Sequence, residues 1–427
     1  MSSNEKNNDH LLQAPRGTRD FVGDTYDRKA DFYRQAEAIA RGYGFTGIET
    51  PVFEHTEIFT KGVGEGTDIV DKEMYNFTTA GGDRLTLRPE GTAAVMRAYI
   101  EHGMGSMPQP LYLYYTGPFF RHEKPQKGRY RQLYQFGLEV MGGKNPMYDI
   151  LTIKTGYNIL KTSGREISVQ VNTLGSVSER QNYLEILKKF YQEHQSQLAE
   201  SDQYRIETNP LRILDSKEPS TKTINEKAPL LQDQLGEASK AYFDAVTKGL
   251  EDLGIPYEVV PSLVRGLDYY EHTVFEYVTK DEQGANSLAL GGGGRYDGLA
   301  EMIGHKESVP AVGLGLGVDR ILEVAHDDAY LDTSRKKVSI IAIGDKVIGE
   351  AIKIAGIVAG SGCEVLMQAT DSNPGKPLAK AEKAGASYAI VVGEEEIAKN
   401  TVTIKNLTTG DQEERSKEDL QDYLMKH

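Results

Sequence analysis

The sequence of 427 residues has little cysteine, no long apolar run and a shortage of positive charge. Its single cysteine, Cys363, cannot form an internal disulfide or a thiolate metal cluster, so we expect a reducing compartment, by default the cytoplasm. No stretch approaches the roughly 18 apolar residues of a membrane span, and residues 1–10 lack the apolar centre of a signal peptide. We therefore expect a soluble protein without membrane partners, with a short disordered start over residues 1–13.

Positive charge is the second shortage. The 49 Lys and Arg residues against 63 Asp and Glu residues give a formal net charge of −14. No sequence-wide basic field therefore attracts nucleic acid or an anionic membrane, and any nucleic-acid binding must be local. No G-x-x-x-x-G-K-[ST] phosphate loop occurs either, so nucleotide binding must use arginines and a sheet.

The length predicts two or three domains. Apolar positions at spacings of three and four predict a helix over residues 24–43, and a second helix is predicted over 92–102. The strand-like segments around it are joined mostly without helices, which predicts an antiparallel sheet. These segments are residues 45–53, with an edge position at Pro51, 84–88, 111–120 and 130–137.

The second half of the chain changes character twice. Charged helical runs predict a helical insertion over about residues 178–256, after which strands resume and a helix over 318–324 closes the core. From residue 334 to 427, strands alternate with helices, which predicts a small α/β domain. Its predicted strands are 337–343, 363–369, 387–392 and 401–407, and its predicted helices are 346–359 and 378–384.

The most basic segment is FFRHEKPQKGRYRQLYQ, residues 119–135, with a local charge of +4. Pro125 and Gly128 between two strand-like flanks predict a hairpin with a basic tip that could meet a polyphosphate or an RNA end. A solvated basic loop is the alternative, and it is favoured for a charge run alone. Arg121, which follows two phenylalanines, is expected to be partly buried and to need an anionic partner.

Polar side chains also occur within apolar segments. In LRPEGTAAVMRAY, residues 87–99, capping of a helix explains Thr92 but not Glu90. Gln135 and Glu139 are four apart and share a face of a regular strand, where an amide and a carboxylate suit an ammonium or an imidazole N–H. Alone, such a pair is more often a structural hydrogen-bond network.

Three further segments combine polar and unusual residues. Residues 263–277 hold Arg265, Asp268, Tyr269 and Tyr270 in one turn, which suggests a polar pocket. GGGGRYD, residues 291–297, leaves a bare backbone that a ligand could approach, although four glycines also make a flexible loop. AVGLGLGVDRI, residues 311–321, alternates glycine with apolar residues, lacks the spacing of a dinucleotide fingerprint and ends in an Asp-Arg pair.

Together these segments resemble the bacterial-type histidyl-tRNA synthetases, a class II aminoacyl-tRNA synthetase family. The resemblance starts at APRGTRDF. Class motif 1 corresponds to the helix over 24–43 and the strand with Pro51, motif 2 to TGPFFRHEKPQKGRYRQLYQFGLEV and motif 3 to AVGLGLGVDRI. RGLDYY and GGGGRYDGL match segments specific to the histidine enzymes, and GEGTDIVDKEMYNF agrees with them.

The resemblance implies a fold and an activity. It implies a class II catalytic domain over residues 14–325 on a six-stranded antiparallel sheet, with the insertion over the tRNA acceptor arm. It also implies an anticodon-binding domain over 334–427 and a homodimer formed through motif 1. The implied activity is ATP-dependent activation of L-histidine to histidyl-adenylate and transfer of the histidyl group to the 3′ end of tRNA(His).

Residue roles follow from the same resemblance. For histidine, it places Glu90, Thr92 and Gln135 around the α-ammonium, Glu139 and Tyr270 on the imidazole nitrogens, and Gly91 and Tyr269 in the rest of the pocket. For ATP, it places Arg121 on the α-phosphate, Glu123 on the adenine amine, and Arg129 and Arg320 on the remaining phosphates and the adenine face. Arg265 would bridge the histidine carboxylate and the α-phosphate, and Lys124, Gln126 and Lys127 would meet the tRNA acceptor stem.

These roles suit the chemistry. The histidine carboxylate attacks the α-phosphorus of ATP in line, so catalysis is mainly positioning and neutralisation of charge by arginines, Arg121 and Arg265 above all, and by Mg²⁺. No nucleophilic side chain and no metal site built by the protein are expected. Two departures from the family pattern stand out: Leu133 replaces a phenylalanine that faces adenine, and Glu271 and His272 follow Tyr270.

A non-catalytic alternative is the regulatory paralogue of ATP phosphoribosyltransferase, which has the synthetase core without its activity. That paralogue typically lacks the anticodon domain and loses motif arginines, whereas this chain keeps Arg121, Arg265 and Arg320 and continues well past residue 334. Another class II synthetase is disfavoured by RGLDYY. The sequence therefore favours the catalytic histidine enzyme.

Overall fold

A computed structural model describes residues 12–64, 67, 69–123, 128–264, 266–280, 286–330 and 335–426. The chain divides into two compact units, residues 1–331 and 332–427. None of the helices in these described ranges combines the length and the apolar character that crossing a bilayer requires.

The first unit is built on a central sheet and a small antiparallel sheet. Its strands are β1 Thr46–Gly47, β2 Phe53–His55, β3 Tyr75–Thr78, β4 Arg84–Leu87, β5 Leu111–Phe120, β6 Gln132–Met141, β7 Ile167–Thr173, β8 Tyr257–Val259, β9 Glu271–Lys280, β10 Asn286–Arg295 and β11 Ala311–Gly317. The central sheet has the order β1-β5-β6-β11-β10-β9-β7-β8, and the small sheet has the order β2-β4-β3.

The expectation of a six-stranded antiparallel sheet is wrong for the whole sheet, which is mixed and has eight strands in the described residues. The strands from β5 to β7 in the spatial order are antiparallel, but β1 pairs with β5 and β8 pairs with β7 in parallel. These outer strands have two and three residues. Such short segments carry no periodicity in the sequence, and they form because the edges of the antiparallel strands offer unpaired backbone groups.

Helices pack against this sheet and form the segment between β7 and β8. They are α1 Asp24–Gly42, α2 Thr56–Val63, α3 Thr92–Glu101, α4 Pro146–Lys161, α5 Val177–Glu193, α6 Glu200–Gln203, α7 Arg205–Thr208, α8 Leu211–Leu214, α9 Pro219–Asn225, α10 Glu237–Asp252, α11 Leu299–Met302 and α12 Val318–Val324. Helix α4 begins with Pro146 after Asn145, whose Oδ1 accepts the N–H of Met147 at 2.9 Å.

The two faces of the central sheet have different surroundings. Phe32 of α1, Ile153 of α4, and Phe136 and Leu314 of the sheet belong to one buried cluster. Because side chains alternate along a strand, the odd-numbered residues of β6 point to the opposite face. That face carries Gln135 and Glu139, so one face of the sheet is apolar core and the other can hold a polar site.

The second unit has a mixed sheet in the order β13-β12-β14-β15-β16. Its strands are β12 Lys337–Ile343, β13 Glu364–Thr370, β14 Tyr388–Val392, β15 Thr401–Asn406 and β16 Gln412–Ser416, and its helices are α13 Ile348–Gly360, α14 Gly375–Lys383, α15 Glu394–Lys399 and α16 Leu420–Lys426. This unit is the predicted α/β domain, although its last strand and its last two helices were not predicted.

Candidate active site

The side chain of Glu90 holds the first turn of helix α3. Its carboxylate accepts the backbone N–H groups of Thr92 at 2.7 Å and of Ala93 at 2.9 Å. The N-cap position is Gly91, so the prediction that Thr92 caps this helix is wrong. A glutamate just before the cap can reach the free N–H groups of the first turn, and this leaves the Thr92 hydroxyl available for another partner.

That partner is Glu139, a fully buried carboxyl group near the C-terminal end of β6. Its Oε1 accepts Thr92 Oγ1 at 2.8 Å and the Tyr115 hydroxyl at 3.3 Å, and its Oε2 accepts the Tyr296 hydroxyl. Burial raises the pKa of Glu139 to about 8, although these hydrogen bonds favour the charged form. Glu139 is therefore a buried hydrogen-bond acceptor, and an N–H donor beside it would stabilise its carboxylate form.

Bare backbone surrounds this carboxyl group. A Cβ placed on Gly313 of β11 would lie 1.6 Å from Glu139 Oε2, and one placed on Gly137 would lie 2.0 Å from the Tyr115 ring. A Cβ on Gly91 would also meet Tyr115, at 2.4 Å. Glycine is required at these positions because any side chain would fill the space that the carboxyl group and the tyrosine occupy.

Tyr269 and Tyr270 are both buried beside this cluster, with ring centroids 4.7 Å apart. The Tyr269 hydroxyl donates to Glu90 Oε2 at 3.4 Å, and its ring lies 5.7 Å from that of Tyr296. The two tyrosines thus connect Glu90 with the surroundings of Glu139. Burial raises the pKa of Glu90, against the effect of its two backbone N–H donors.

A second site is a cleft at the N-terminal end of β6. Its lining includes all four residues expected to bind ATP, together with Gln135, Leu133 and bare backbone: Arg121, Glu123, Arg129, Arg320, Gly291, Gly315 and Gly317. The cleft lining also includes Tyr130 and Tyr134. Residues from motif 2 and motif 3, nearly 200 positions apart, therefore share one cleft.

The cleft arginines are held by backbone carbonyls. Arg121 Nε donates to the Pro89 carbonyl at 2.8 Å, and Arg320 donates to the carbonyls of Ala289 at 2.8 Å and Gly128 at 3.3 Å. Arg129 pairs with Glu123 at 3.3 Å. Burial and then repulsion by Arg129 lower the pKa of Arg320. The lining also holds three carboxylates, Glu123, Glu276 and Asp319, but three guanidinium groups in one cleft suit an anionic ligand.

The four glycines of GGGGRYD belong to strand β10, so the flexible-loop alternative is wrong. A Cβ on Gly293 would lie 1.9 Å from the Gly313 carbonyl oxygen, so close strand packing explains that glycine. Gly291 lines the cleft. Arg295 is buried in an ion pair with Asp149, which indicates a structural role for this arginine.

Sequence reasoning missed the contacts of Arg19. Its Nη2 donates to Asp319 Oδ1 at 2.6 Å and its Nη1 to the Tyr130 hydroxyl at 3.0 Å. Asp319 Oδ2 accepts the N–H of Tyr134 at 2.7 Å, and the Gly17 carbonyl accepts the N–H of the residue that follows Tyr130, at 2.7 Å. The N-terminal segment thus holds motif 2 and motif 3 together beside the cleft.

Tyr115 and Tyr296 were also missed. Tyr115 lies in the apolar run LYLYY, where nothing distinguishes it from core, whereas Tyr296 belongs to the GGGGRYD segment that the sequence already marked. The two departures after Tyr270 make local contacts: Glu271 Oε1 accepts the N–H of Gly298 at 3.0 Å, and the His272 ring stacks on Tyr242. Four predicted site residues lie outside the described residues: Lys124, Gln126, Lys127 and Arg265.

Comparison with known proteins agrees with both units. The family model for histidyl-tRNA synthetase matches residues 17–321. The model for the anticodon binding domain matches residues 337–427. The catalytic and anticodon-binding parts that the fold expectation required are therefore both present.

Similar proteins cover nearly the whole chain. The histidine–tRNA ligase of Hydrogenovibrio crunogenus is 42% identical over 95% of this chain and 95% of its own. That of Gluconobacter oxydans is 39% identical over 96% and 97%, respectively. The crystal structure of apo S. aureus histidyl-tRNA synthetase is 33% identical, with a TM-score of 0.79 over 97% of this chain and 99% of that one. The chain belongs to the histidyl-tRNA synthetase family, ligases that use ATP to charge tRNA(His) with histidine.

Proposed function

We propose that the arginine cleft binds ATP, that the buried cluster around Glu139 binds histidine, and that the adenylate forms where they meet, near Gln135. The observation that carries this proposal is the course of strand β6. Gln135 lines the cleft, and Glu139 lies on the same face four residues further on. One strand therefore spans both sites.

In the ATP cleft, Arg121 would contact the α-phosphate, and Arg129 and Arg320 the remaining phosphates and the adenine face. Glu123 would accept the adenine amine. The carbonyl anchors of Arg121 and Arg320 support these roles, because they fix two guanidinium groups before the ligand arrives. Leu133 would face adenine without an aromatic ring.

Mg²⁺ would enter with ATP and neutralise charge on its phosphates. Mg²⁺ in nucleotide sites is typically held by substrate phosphates, water and one or two carboxylates. Glu276 of β9 lines the cleft and supplies a carboxylate of this kind. The donor set of the cleft thus fits the ion, and Glu276 is the residue that would hold it.

In the histidine pocket, Glu139 would accept one imidazole N–H while Tyr270 engages the other ring nitrogen. Glu90, Thr92 and Gln135 would surround the α-ammonium. Gly91 and Tyr269 would complete the pocket wall. The burial of both carboxyl groups supports this division, because a buried carboxylate needs cationic or N–H partners to remain charged.

The remaining assignments rest on the family resemblance. Arg265 would bridge the histidine carboxylate and the α-phosphate, and the motif 2 tip with Lys124, Gln126 and Lys127 would meet the acceptor stem. A homodimer through motif 1 is supported by the apolar side chains of Val52 and Phe53, which follow Pro51 and are 39% and 50% exposed. We propose the cytoplasm as the location.

The proposed function predicts a strict requirement in ATP–pyrophosphate exchange. With each of the twenty amino acids supplied in turn, exchange should occur with histidine and Mg²⁺ alone. Hydrogen-bonding pockets reject analogues that leave their polar groups unpaired, and the best of them discriminate by about 10⁴-fold or more. Equal exchange with a second amino acid would contradict the pocket, and absence of exchange with all twenty would contradict catalysis.

Histidine affinity should also depend on pH. Ligand-free Glu139, with a pKa of about 8, is mostly protonated at neutral pH, whereas an imidazole N–H donor is held more strongly by its carboxylate form. Binding is therefore expected to release this proton, and affinity should rise roughly eightfold from pH 7.0 to pH 8.5 and then level off. Calorimetric titration with histidine over this range measures the slope.

Glu139→Gln is the control for this slope. The amide cannot titrate, so the weaker affinity of this variant should not change across the same range. An affinity of the parent protein that stays constant or falls with pH would show that Glu139 keeps its proton in the complex.

A further inference from the structure

Arg180 lies in helix α5, outside every segment that the motifs assign to catalysis. Its Nη1 donates to the backbone carbonyl of Asp268 at 2.8 Å and to that of Tyr270 at 2.6 Å. These carbonyls lie on either side of Tyr269. A single guanidinium group therefore fixes the main chain that carries both tyrosines of the pocket.

Helix α5 is itself firmly anchored. Ser176 and Glu179 form a capping box at its start. The Glu179 carboxylate also accepts the N–H of Gly236 and the hydroxyl of Ser239, both at 2.6 Å, at the start of α10. Arg180 directly follows this anchor, so the position of its backbone is fixed by the start of α5.

Asp268 makes two further hydrogen bonds and packs closely against Gly64. Its Oδ1 accepts Asn209 Nδ2, between α7 and α8, at 3.3 Å, and its N–H donates to the Val63 carbonyl at 3.0 Å. A Cβ on Gly64 would lie 2.6 Å from Asp268 Oδ2. The segment between β7 and β8 thus contacts residues 268–270 through Arg180 and through Asn209.

The choice of arginine is informative. Burial lowers the pKa of Arg180, so the position disfavours a charged group, while the charge of Asp268 partly offsets this effect. Nη1 carries two N–H bonds, one for each carbonyl oxygen, and the planar guanidinium fixes their directions, whereas an ammonium on a flexible chain rotates freely. The bridging geometry therefore suits an arginine at this position.

We propose that Arg180 is a positioning residue for histidine binding, through which the helical segment between β7 and β8 sets the affinity for histidine without touching it. The proposal rests on the assignment of Tyr269 and Tyr270 to the histidine pocket. It predicts a change in the KM for histidine without a change in the KM for ATP.

The test is ATP–pyrophosphate exchange by the full chain with Arg180→Lys and Arg180→Met. We expect the KM for histidine to rise about 5- to 20-fold in the lysine variant, at or below the lower end of the scale for one lost hydrogen bond to a charged group because the effect reaches histidine only through the main chain, and further in the methionine variant. The KM for ATP should stay within about twofold of the parent value. Lys189→Met, on an exposed position of the same helix, is the matched control and should change neither KM.

Tyr270→Phe separates this inference from the proposed pocket. If Tyr270→Phe raises the KM for histidine but neither Arg180 variant does, the positioning role is wrong and the pocket stands. If Tyr270→Phe has no effect, the pocket assignment is wrong. Equal changes in both KM values for the Arg180 variants would indicate general structural damage and overturn the proposal.

A further variant covers the case in which Arg180→Met fails to fold. Asn209→Ala removes the second contact and should raise the KM for histidine in the same direction by a smaller factor. Thermal unfolding of each variant identifies those that are folded. An unchanged KM for histidine in both Arg180→Lys and Asn209→Ala would overturn the proposal.

Discussion

Arg121→Lys is expected to slow ATP–pyrophosphate exchange by about 10²- to 10³-fold, the scale for loss of one preorganised donor to a developing charge. The Nε of Arg121 is held by the Pro89 carbonyl, and its terminal nitrogens carry further N–H donors that can meet a phosphate. Lysine keeps the charge but cannot make the anchoring bond and the phosphate contact together. Single-turnover formation of the adenylate measures the chemical step directly.

The matched control is Arg84→Lys, the same chemical change at a side chain of β4 that is 69% exposed. It should leave exchange unchanged. A rate near that of the parent protein for Arg121→Lys would show that Arg121 supports the Pro89 backbone rather than the α-phosphate.

Glu139→Gln is expected to raise the KM for histidine about 10- to 150-fold, the range for loss of a hydrogen bond to a charged group. The amide keeps the shape of the carboxyl group but offers one acceptor oxygen, and its NH₂ group opposes an imidazole N–H. The KM for ATP should not change, because Glu139 lies beyond the cleft lining. Initial rates of exchange at varied histidine and varied ATP measure both constants.

Glu258→Gln, at an exposed position of β8, is the control for this substitution. A KM for histidine that is unchanged in Glu139→Gln would assign Glu139 to a structural network with Tyr296 and Thr92. That result would not affect the proposed assignment of the cleft to ATP, because the two sites are tested by different substrates.

Elements with strong periodicity could be predicted from the sequence. Helix α12 and strand β12 have the predicted bounds, and α1 ends one residue before its predicted end. The shared face of Gln135 and Glu139 also followed from strand geometry alone. Helix α4 was not predicted, since it is apolar over most of its surface and lies between other elements in the core, so it lacks a polar stripe.

The site could be predicted only in part, for a physical reason. Its residues lie on β6, β9, β10 and β11, in the segments that follow β5 and precede β9, and at the starts of α3 and α12, and their distances depend on the order of strands in the sheet, which no local pattern encodes. Capping by Glu90 was missed because sequence preferences favour threonine at helix starts. Tyr115 was missed because an aromatic residue in an apolar run has the same pattern whether its hydroxyl group serves a site or not.

The ion pair between Arg19 and Asp319 joins positions 300 residues apart. A ribosome that adds about 5 to 20 residues per second needs roughly 15 to 60 s to pass from one to the other. During that time the N-terminal segment cannot make its contact with motif 3. The cleft lined by Arg121 and Arg320 is therefore among the last parts of the first unit to be completed on a nascent chain, and an incomplete chain that stops before residue 319 lacks the contact that joins its motif 2 and motif 3 sides.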